Sequence, residues 1–538
     1  MDIKSPFPDV QIPDVDLWTF LFERQDRKYS DHKVLFTDVD TGRNYTFKDM
    51  RTLALNFGHS LRQQWNWQPG DVLAVFASNS IDLPPIIWGA LAVGGVVCPI
   101  NPNYKVDELL HPLRDSQSKA IVTGKAQLPT VLQAAERAGI SNDRVIVVDE
   151  ADRIGFWESD PAVIGDVFDG PFTPPIRDPA SELAYLVYSS GTTGLPKAVM
   201  LSHRNMVGSL LQLEPVEDGQ LGFTRGLAGE GDRGLAFLPF FHIYGITFIL
   251  NDTVHLGLST FIMPRFSLEK FCSTVQKHQV TYVWTVPPVV LELVQNNKTS
   301  EYDLTSIRMA ISGAAPLAAE LIHALYDKLK IPIRQGYGMT ECSPCTHMQT
   351  WDEARTHIGS VGRLLPNMTA RFTPIDDEQD ERSGELWVKE PNVFPGYLGN
   401  ASANADAFSE DGFYKTGDVG YQDENGYLYI TDRVKELIKY NGFQVAPVEL
   451  EGIIIAHPAV SDVAVVGLPS GQDGSELPRA YVVPVGKCED EAMAESIINY
   501  VADRAVGYKK LRGGVCFVQD IPRNPTGKIL RRKLKQMS

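Results

Sequence analysis

Ser189 to Lys197, reading S-S-G-T-T-G-L-P-K, gathers hydroxyls, glycines and one ammonium into a single short stretch. Gly191 and Gly194 remove side chains where a backbone must fold closely around something, while Ser189, Ser190, Thr192 and Thr193 supply hydroxyl donors. Lys197 adds a mobile positive charge. Backbone amides, hydroxyls and an ammonium together suit a polyphosphate, whose oxygens only accept. The flanking runs Leu183 to Tyr188 and Ala198 to Leu201 are strand-like, so the stretch reads as a loop pinned between strands rather than a Ser/Gly linker. A Walker A loop would place lysine directly after glycine, whereas Leu195 and Pro196 separate Gly194 from Lys197. A P-loop kinase or ATPase is therefore disfavoured.

Further chemistry sits where apolar runs end. Leu235 to Leu238 leads into Pro239-Phe240-Phe241-His242-Ile243-Tyr244-Gly245, which sets one imidazole among apolar groups, either a pocket donor or an ordinary core histidine. Met309 to Ser312 ends in Gly313-Ala314-Ala315-Pro316, residues small enough for a flat ring to approach the backbone. Ile333 to Gln335 leads into Gly336-Tyr337-Gly338-Met339-Thr340-Glu341, read as a turn that presents an aromatic face, a hydroxyl and a carboxylate. Cys342 and Cys345 form a C-x-x-C, but no second pair at zinc-site spacing accompanies it, so redox and metal readings are disfavoured.

The elements that must position these groups follow from length and pattern. At 538 residues the chain exceeds one ordinary core, which implies at least two domains. A formal charge of -17 argues against a nucleic-acid partner. The start of the chain has acidic residues and prolines where a signal peptide needs a basic segment and an apolar core, and six cysteines make no disulfide framework. Gln536-Met537-Ser538 is not the S-K-L peroxisomal address, so a cytoplasmic protein is expected. Leu83 to Ile100 reaches membrane-span length, but Pro84, Pro85, Gly94, Gly95 and Pro99 break it into helix, turn and strand.

Strands at Val34 to Phe36, Val72 to Phe76, Val96 to Ile100, Ala120 to Val122 and Val145 to Val148 alternate with helices at Thr46 to Gln63, Leu83 to Ala92 and Lys105 to Ser116. This is the α/β pattern of a largely parallel sheet covered on both faces. Asp152 to Pro179 reads as a connection, and a second alternating region runs from Leu183 to about Gly359. Short strands at Arg371 to Pro374, Gly384 to Lys389 and Tyr427 to Thr431 suggest a small β subdomain. Mixed α/β character resumes from Gln444, with helices at Pro447 to Ala456 and Glu489 to Arg504 and strands at Val460 to Gly467, Ala480 to Val485 and Val515 to Val518.

Five motifs, S-S-G-T-T-G-L-P-K, G-Y-G-M-T-E, Y-K-T-G-D, D-R-V-K-E-L-I-K and P-T-G-K, occur in this order along nearly the whole chain. Together they resemble the adenylate-forming superfamily of acyl-CoA synthetases, non-ribosomal peptide adenylation domains and beetle luciferases, nearest the 4-coumarate:CoA ligase branch. The resemblance implies a large N-terminal domain over 1–432 with a β subdomain at 361–432, a hinge at 433–435, and a smaller mobile α+β domain over 436–538. It implies ATP, Mg²⁺ and coenzyme A as cofactors, with a small carboxylic acid as the partner that is activated.

Carried over by motif, Ser189 to Lys197 would hold the β and γ phosphates, and Glu341 with Thr340 would hold Mg²⁺. Gly313 to Pro316 and Gln335 to Tyr337 would line the adenine, Gly338 and Met339 would belong to the same ATP site, Asp418 would meet the ribose hydroxyls, and Arg433 would assist at ribose and phosphate. Lys528 would bridge the carboxylate and the α-phosphate, and Lys435 falls at the hinge. Lys439, Asn441, Gly442 and Gln444 would face the thiol step, with Asn441 standing where close relatives usually carry lysine. His242, Tyr244, Gly338, Ser343 and Cys345 would bound the acyl pocket. The expected function is an AMP-forming acid:CoA ligase on a cinnamate-like or medium-chain fatty acid. A loader of carrier-protein phosphopantetheine and a non-catalytic nucleotide sensor are the alternatives.

Overall fold

The computed structural model describes residues 2–149, 153–156, 175–176, 178–189, 196–375, 381–434, 436–440, 443–470, 475–486, 490–525 and 527–537. Two large sheets dominate. Strand Val72–Phe76 lies at the centre of an eight-stranded sheet, flanked by parallel neighbours Val96–Pro99 and Ala120–Gly124. Its side chains divide by parity: Leu73 and Val75 join the main core, while Val72, Ala74 and Phe76 join a second core with Leu109, Leu113 and Val131 of the covering helices. That alternation without a polar face is what a sheet covered on both sides requires. The run Leu83 to Ile100 is resolved into the fully buried helix Leu83–Ala92 and strand Val96–Pro99. Among the described residues no helix is long and apolar enough to cross a membrane.

The second sheet has nine strands, with a parallel centre formed by Arg233–Ala236, Tyr282–Thr285, Met309–Ser312 and Ile333–Gly338. The carboxyl ends of these strands carry the motifs noted above, the usual place for ligands in such sheets. Two sequence readings need correction here. The strand expected at Leu235 to Leu238 ends at Ala236, and Phe237 and Leu238 leave the sheet while remaining buried. Gly336 to Gly338 is not a turn but the end of strand Ile333–Gly338, paired antiparallel with Cys345–Met348. Only Thr340–Cys342 makes the turn, as a single 3₁₀ stretch.

A five-stranded antiparallel sheet contains Thr369–Thr373, Ser383–Lys389, Tyr414–Gln422 and Leu428–Arg433, with Ile3–Lys4 on its edge. Within 361–432, Arg363–Leu364 and Gly396–Tyr397 instead join the two large sheets, which stitches this region to the rest. After Arg433 come the hairpin Ile438–Tyr440/Phe443–Val445, helix Pro447–Ile455, and the paired strands Val460–Pro469 and Glu476–Pro484. With helices Glu491–Ala502 and Arg531–Gln536 they form apolar clusters of their own around Val463, Val465, Ile454 and Ile497, and around Ala464, Tyr481 and Leu534. Most of the connection Asp152 to Pro179 lies outside the described residues, as do Ser190, Gly191, Thr192, Thr193, Gly194, Lys435, Asn441, Gly442 and the side chain of Gln444.

Two fully buried histidines give the fold an acid-sensitive core. Burial holds His203 down to about 4 and His347 down to about 3, against an ordinary value of 6.5. Below 6.5 the unfolded chain takes up these protons first, so the stabilisation present at neutral pH is lost progressively as pH falls towards the folded values. We expect each histidine to lower the unfolding free energy by about 1.4 kcal/mol per pH unit in that window. Urea unfolding at pH 7, 6 and 5 checks this, with His347→Gln expected to flatten the slope; an unchanged slope in that variant would refute it.

Candidate active site

The strand ends, the five-stranded sheet and the last part of the chain surround one cleft of about 830 Å³. Its walls bring together Ser189, Lys197, His242, Tyr244, Gly313, Ala314, Gly336, Tyr337, Gly338, Met339, Thr340, Glu341, Cys345, Arg433 and Lys528. Residues more than three hundred positions apart in sequence therefore share one chamber.

At one end of the cleft a ladder pair sets Lys197 directly opposite Ser189, where strand Lys197–Ser202 meets Leu183–Ser189. The Lys197 ammonium lies over the ring of Tyr397, 4.8 Å from its centroid, and the Tyr397 hydroxyl donates to Glu341 Oε1 at 2.9 Å. Glu341 itself is held at its backbone by Phe394, whose N–H donates to the Glu341 carbonyl at 2.8 Å. Asn392 fixes the following turn by donating from Nδ2 to the carbonyls of Cys342 at 2.7 Å and Cys345 at 2.6 Å. Among the described residues no cluster of three or more His, Cys, Asp or Glu could cage a metal. A single buried carboxylate with one oxygen already engaged fits Mg²⁺ that takes most of its ligands from phosphate and water.

Elsewhere on the cleft, the Tyr337 hydroxyl donates to Asp418 Oδ2 at 2.7 Å, and Arg433 Nε meets Asp418 Oδ1 at 2.7 Å. The Asp418 carboxylate keeps the Arg433 guanidinium firmly protonated, and burial together with that carboxylate pushes the Tyr337 phenol up. Each carboxylate oxygen retains acceptor capacity for a further donor. Four of the described residues assigned to the nucleoside are not on the cleft walls, and one of them is Asp418, which is buried behind Gly417 and Arg433. Gln335 does not line the cleft, and its Nε2 donates to the Ser360 carbonyl at 3.1 Å. Ala315 and Pro316 lie beyond the cleft walls, with only Gly313 and Ala314 of that run reaching them.

The apolar end is bounded by Phe241, Ile243, Tyr244, Phe248, Ile311, Pro344 and Cys345. Phe241 and Ile311 stand in runs read above without a site role of their own, and Phe248 stands in none of them. Phe248 arrives on the π-helical stretch Gly245–Asn251, which reads only as a generic apolar run. Ser343 is not on the wall: it is fully buried and its hydroxyl donates to the Asn392 carbonyl at 2.9 Å, so it supports the turn instead. His242 accepts at Nδ1 from the Tyr244 backbone N–H at 3.2 Å, and burial holds its pKa down to about 4. The ring is therefore neutral at pH 7 with its proton on Nε2, which makes it a donor.

Lys528 lines the cleft from the C-terminal domain, near Arg433, Glu436 and Asp418. Burial, then the Arg433 charge, lowers its pKa below the ordinary lysine value. Arg531 braces this segment, bonding Glu436 Oε2 at 2.9 Å and Glu451 Oε1 at 2.5 Å. Lys439 is exposed on its hairpin and does not reach the cleft.

One cleft thus holds an ammonium, a buried carboxylate, a phenol on its wall and an apolar chamber. Comparison with known proteins gives the family. The family model of the AMP-binding enzymes matches residues 22–398, and that of the AMP-binding enzyme C-terminal domain matches residues 449–528. The chain is 36% identical over 493 residues to a probable 4-coumarate–CoA ligase of Dictyostelium discoideum, covering 88% of this chain and 87% of that one. It is 34% identical to the 4-coumarate–CoA ligase of Pinus taeda, over 99% of this chain and 97% of the relative. ATP-bound MatB of Rhodopseudomonas palustris superposes with a TM-score of 0.84 at 28% identity, covering 97% of this chain and 98% of that one. This protein belongs to the AMP-binding enzyme family, the adenylate-forming enzymes.

Proposed function

We propose that the chain is an ATP-dependent, AMP-forming carboxylic acid:CoA ligase. An oxygen of the acid attacks the α-phosphorus of ATP, the bond to the bridging oxygen breaks, and pyrophosphate leaves with its electron pair. The thiolate of coenzyme A then attacks the acyl carbonyl, and AMP departs. The observation that carries this reading is the convergence of Lys528 with Lys197, Glu341, Tyr337 and His242 on one cleft.

The first step builds charge on phosphate oxygens, and fixed cations lower its barrier by meeting that charge in place. Lys197 serves the leaving pyrophosphate, and Lys528 spans the acid and the α-phosphate. Asp418 and Arg433 orient the ribose, with the adenine on Tyr337 against Gly313 and Ala314. Glu341, with Thr340, would hold Mg²⁺, which when bound supplies charge neutralisation on the phosphates. His242 offers its Nε2 proton to a carboxyl or carbonyl oxygen of the acyl group. The apolar end selects an acid with an apolar body, an aryl or medium-chain fatty acid, and single methylenes there are worth about 1–3 kcal/mol. Thioester formation requires the C-terminal domain to turn about Lys435, withdrawing Lys528 and presenting the hairpin that carries Lys439, Asn441, Gly442 and Gln444.

The test is a panel of carboxylic acids assayed for acid-dependent AMP and pyrophosphate with coenzyme A present. We expect at least one aryl or medium-chain acid to give AMP and thioester together. No acid-dependent AMP from any acid would overturn the reading in favour of a nucleotide sensor. AMP with thioester formed only on a holo-carrier protein would shift it to carrier loading.

A further inference from the structure

We propose that Tyr397 is a positioning residue that ties the metal-holding carboxylate of Glu341 to the phosphate-loop cation Lys197. The inference rests on the ligase reading above, and it adds a residue that none of the five motifs contains. The geometry points to it from both ends of the side chain. The hydroxyl donates to Glu341 Oε1 at 2.9 Å, and the ring face receives the Lys197 ammonium 4.8 Å from its centroid. A phenol that donates to an ionised carboxylate makes a strong, directional bond, fixes which oxygen remains for a cation, and so sets the angle at which the metal is met. A cation over the same ring fixes the lateral position of the ammonium.

Such a role demands a rigid mount, and Tyr397 has one. Its Cα lies in register with Val199 on the strand that begins at Lys197, and the Leu398 N–H donates to the Ala198 carbonyl at 3.0 Å. Asn404 clamps the same peptide from the other side: its Oδ1 accepts from the Tyr397 N–H at 2.7 Å and its Nδ2 donates to the Tyr397 carbonyl at 3.1 Å. The ring is packed edge-on to Phe394, centroids 4.9 Å apart, and Phe394 is the residue whose N–H holds the Glu341 carbonyl. One short segment, Asn392 to Tyr397, thus grips the Glu341 turn at its backbone and its carboxylate, while its end is stitched to the strand that bears Lys197. The metal and triphosphate sites would then be set at a common spacing by one side chain.

Two substitutions separate this from simple packing. Tyr397→Phe keeps the ring under Lys197 and the contact with Phe394 but removes the bond to Glu341. Tyr397→Leu removes both. Binding is read without turnover, in the absence of any carboxylic acid: ATP alone with EDTA by calorimetry, and Mn²⁺ with ATP by the loss of the free-ion electron paramagnetic resonance signal. For Tyr397→Phe we expect metal-free ATP binding within about twofold of wild type and Mn²⁺ uptake in the ternary complex weakened about tenfold. For Tyr397→Leu we expect metal-free ATP binding to weaken as well, by about two- to fivefold. Wild-type Mn²⁺ uptake by Tyr397→Phe, or an equal loss of metal-free ATP binding in that variant, would overturn the proposal. Failure of the wild-type chain to bind ATP at all would overturn the ligase reading with it, so the two failures are told apart.

Discussion

Replacing Lys528 by alanine is expected to slow acyl-adenylate formation by roughly 10³-fold, while a supplied acyl-adenylate is still converted to thioester at near the wild-type rate. The asymmetry follows from where the ammonium sits. Lys528 is the one C-terminal-domain lysine of the expected catalytic set that lines the cleft, whereas Lys439 is on a hairpin away from it. An orientation that inserts Lys528 serves the step at phosphorus, and its withdrawal should leave the second step without a role for it. Folding is not at stake: the segment is braced by Arg531 to Glu436 and Glu451, and by Arg523 to Asp462 at 2.8 Å, none of which uses the Lys528 side chain. Burial has also made the ammonium costly to charge, because Arg433 and Arg531 lie on the same side of the balance as desolvation, and only Glu436 and Asp418 oppose them. Bound triphosphate would supply the missing anions, so the residue is primed to be more favourable with substrate present than without. The check is a pair of half-reactions, pyrophosphate exchange for the first and thioester formation from synthetic adenylate for the second; equal losses in both would contradict this division.

The groups proposed to meet phosphate and nucleoside are legible in the sequence because such chemistry confines them to short, unusual strings. Lys197, Glu341, Asp418 and Lys528 each sit in a motif whose mix of glycines, hydroxyls or prolines stands out from the apolar runs around it. Buried α/β elements were legible for a different reason, since two apolar faces leave a continuous run: Val72–Phe76, Leu83–Ala92 and Met309–Ser312 have the bounds the pattern implies. What escaped was set by tertiary contact. Strand Tyr414–Gln422 reads as a motif rather than a strand because Gly417, Asp418 and Gly420 are poor strand residues, yet its neighbours on both sides, Ser383–Lys389 and Leu428–Arg433, impose it. Helix Leu128–Ala138 is absent from the elements expected from the sequence, although its apolar residues Leu128, Val131, Ala134 and Ala135 repeat at helical spacing and Gly139 closes it with φ 76°. The resemblance implies site roles for Ser343 and Gln335, but each side chain donates to a backbone carbonyl instead, Ser343 to Asn392 and Gln335 to Ser360. Tyr397 and Phe248 carry no local signal at all; only the fold brings them to the cleft.

Gly338→Ala is expected to reduce adenylation by at least about 10²-fold while the chain still folds, and the reason separates it from its neighbours in the same motif. A methyl group at Gly336 would meet its nearest atom, the His347 carbonyl oxygen, at 3.6 Å, and one at Gly313 would meet Tyr244 at 3.4 Å. Both are ordinary contacts, so alanine there should be tolerated to within about tenfold, the cost of a displacement well under 1 Å. At Gly338 the same group would collide with the Pro344 carbonyl oxygen and stand 2.7 Å from its carbon. Backbone is the obstacle, and it cannot rotate away as a side chain would. Nor can the partner strand drift, because the Met339 N–H donates to that same Pro344 carbonyl at 2.7 Å and Asn392 pins the Cys342 and Cys345 carbonyls on either side. The displacement must therefore pass to what flanks the contact: Tyr337 on one side, which carries the bond to Asp418, and Pro344 with Cys345 on the other, which wall the apolar chamber. Nucleoside shelf and acyl wall are moved apart by one methyl, so both ATP and acid should lose their alignment rather than one alone. Equilibrium binding of ATP and of the acid, with urea unfolding as the control, checks the claim; a variant with native stability and native adenylation rate would show that the two walls are not rigidly coupled.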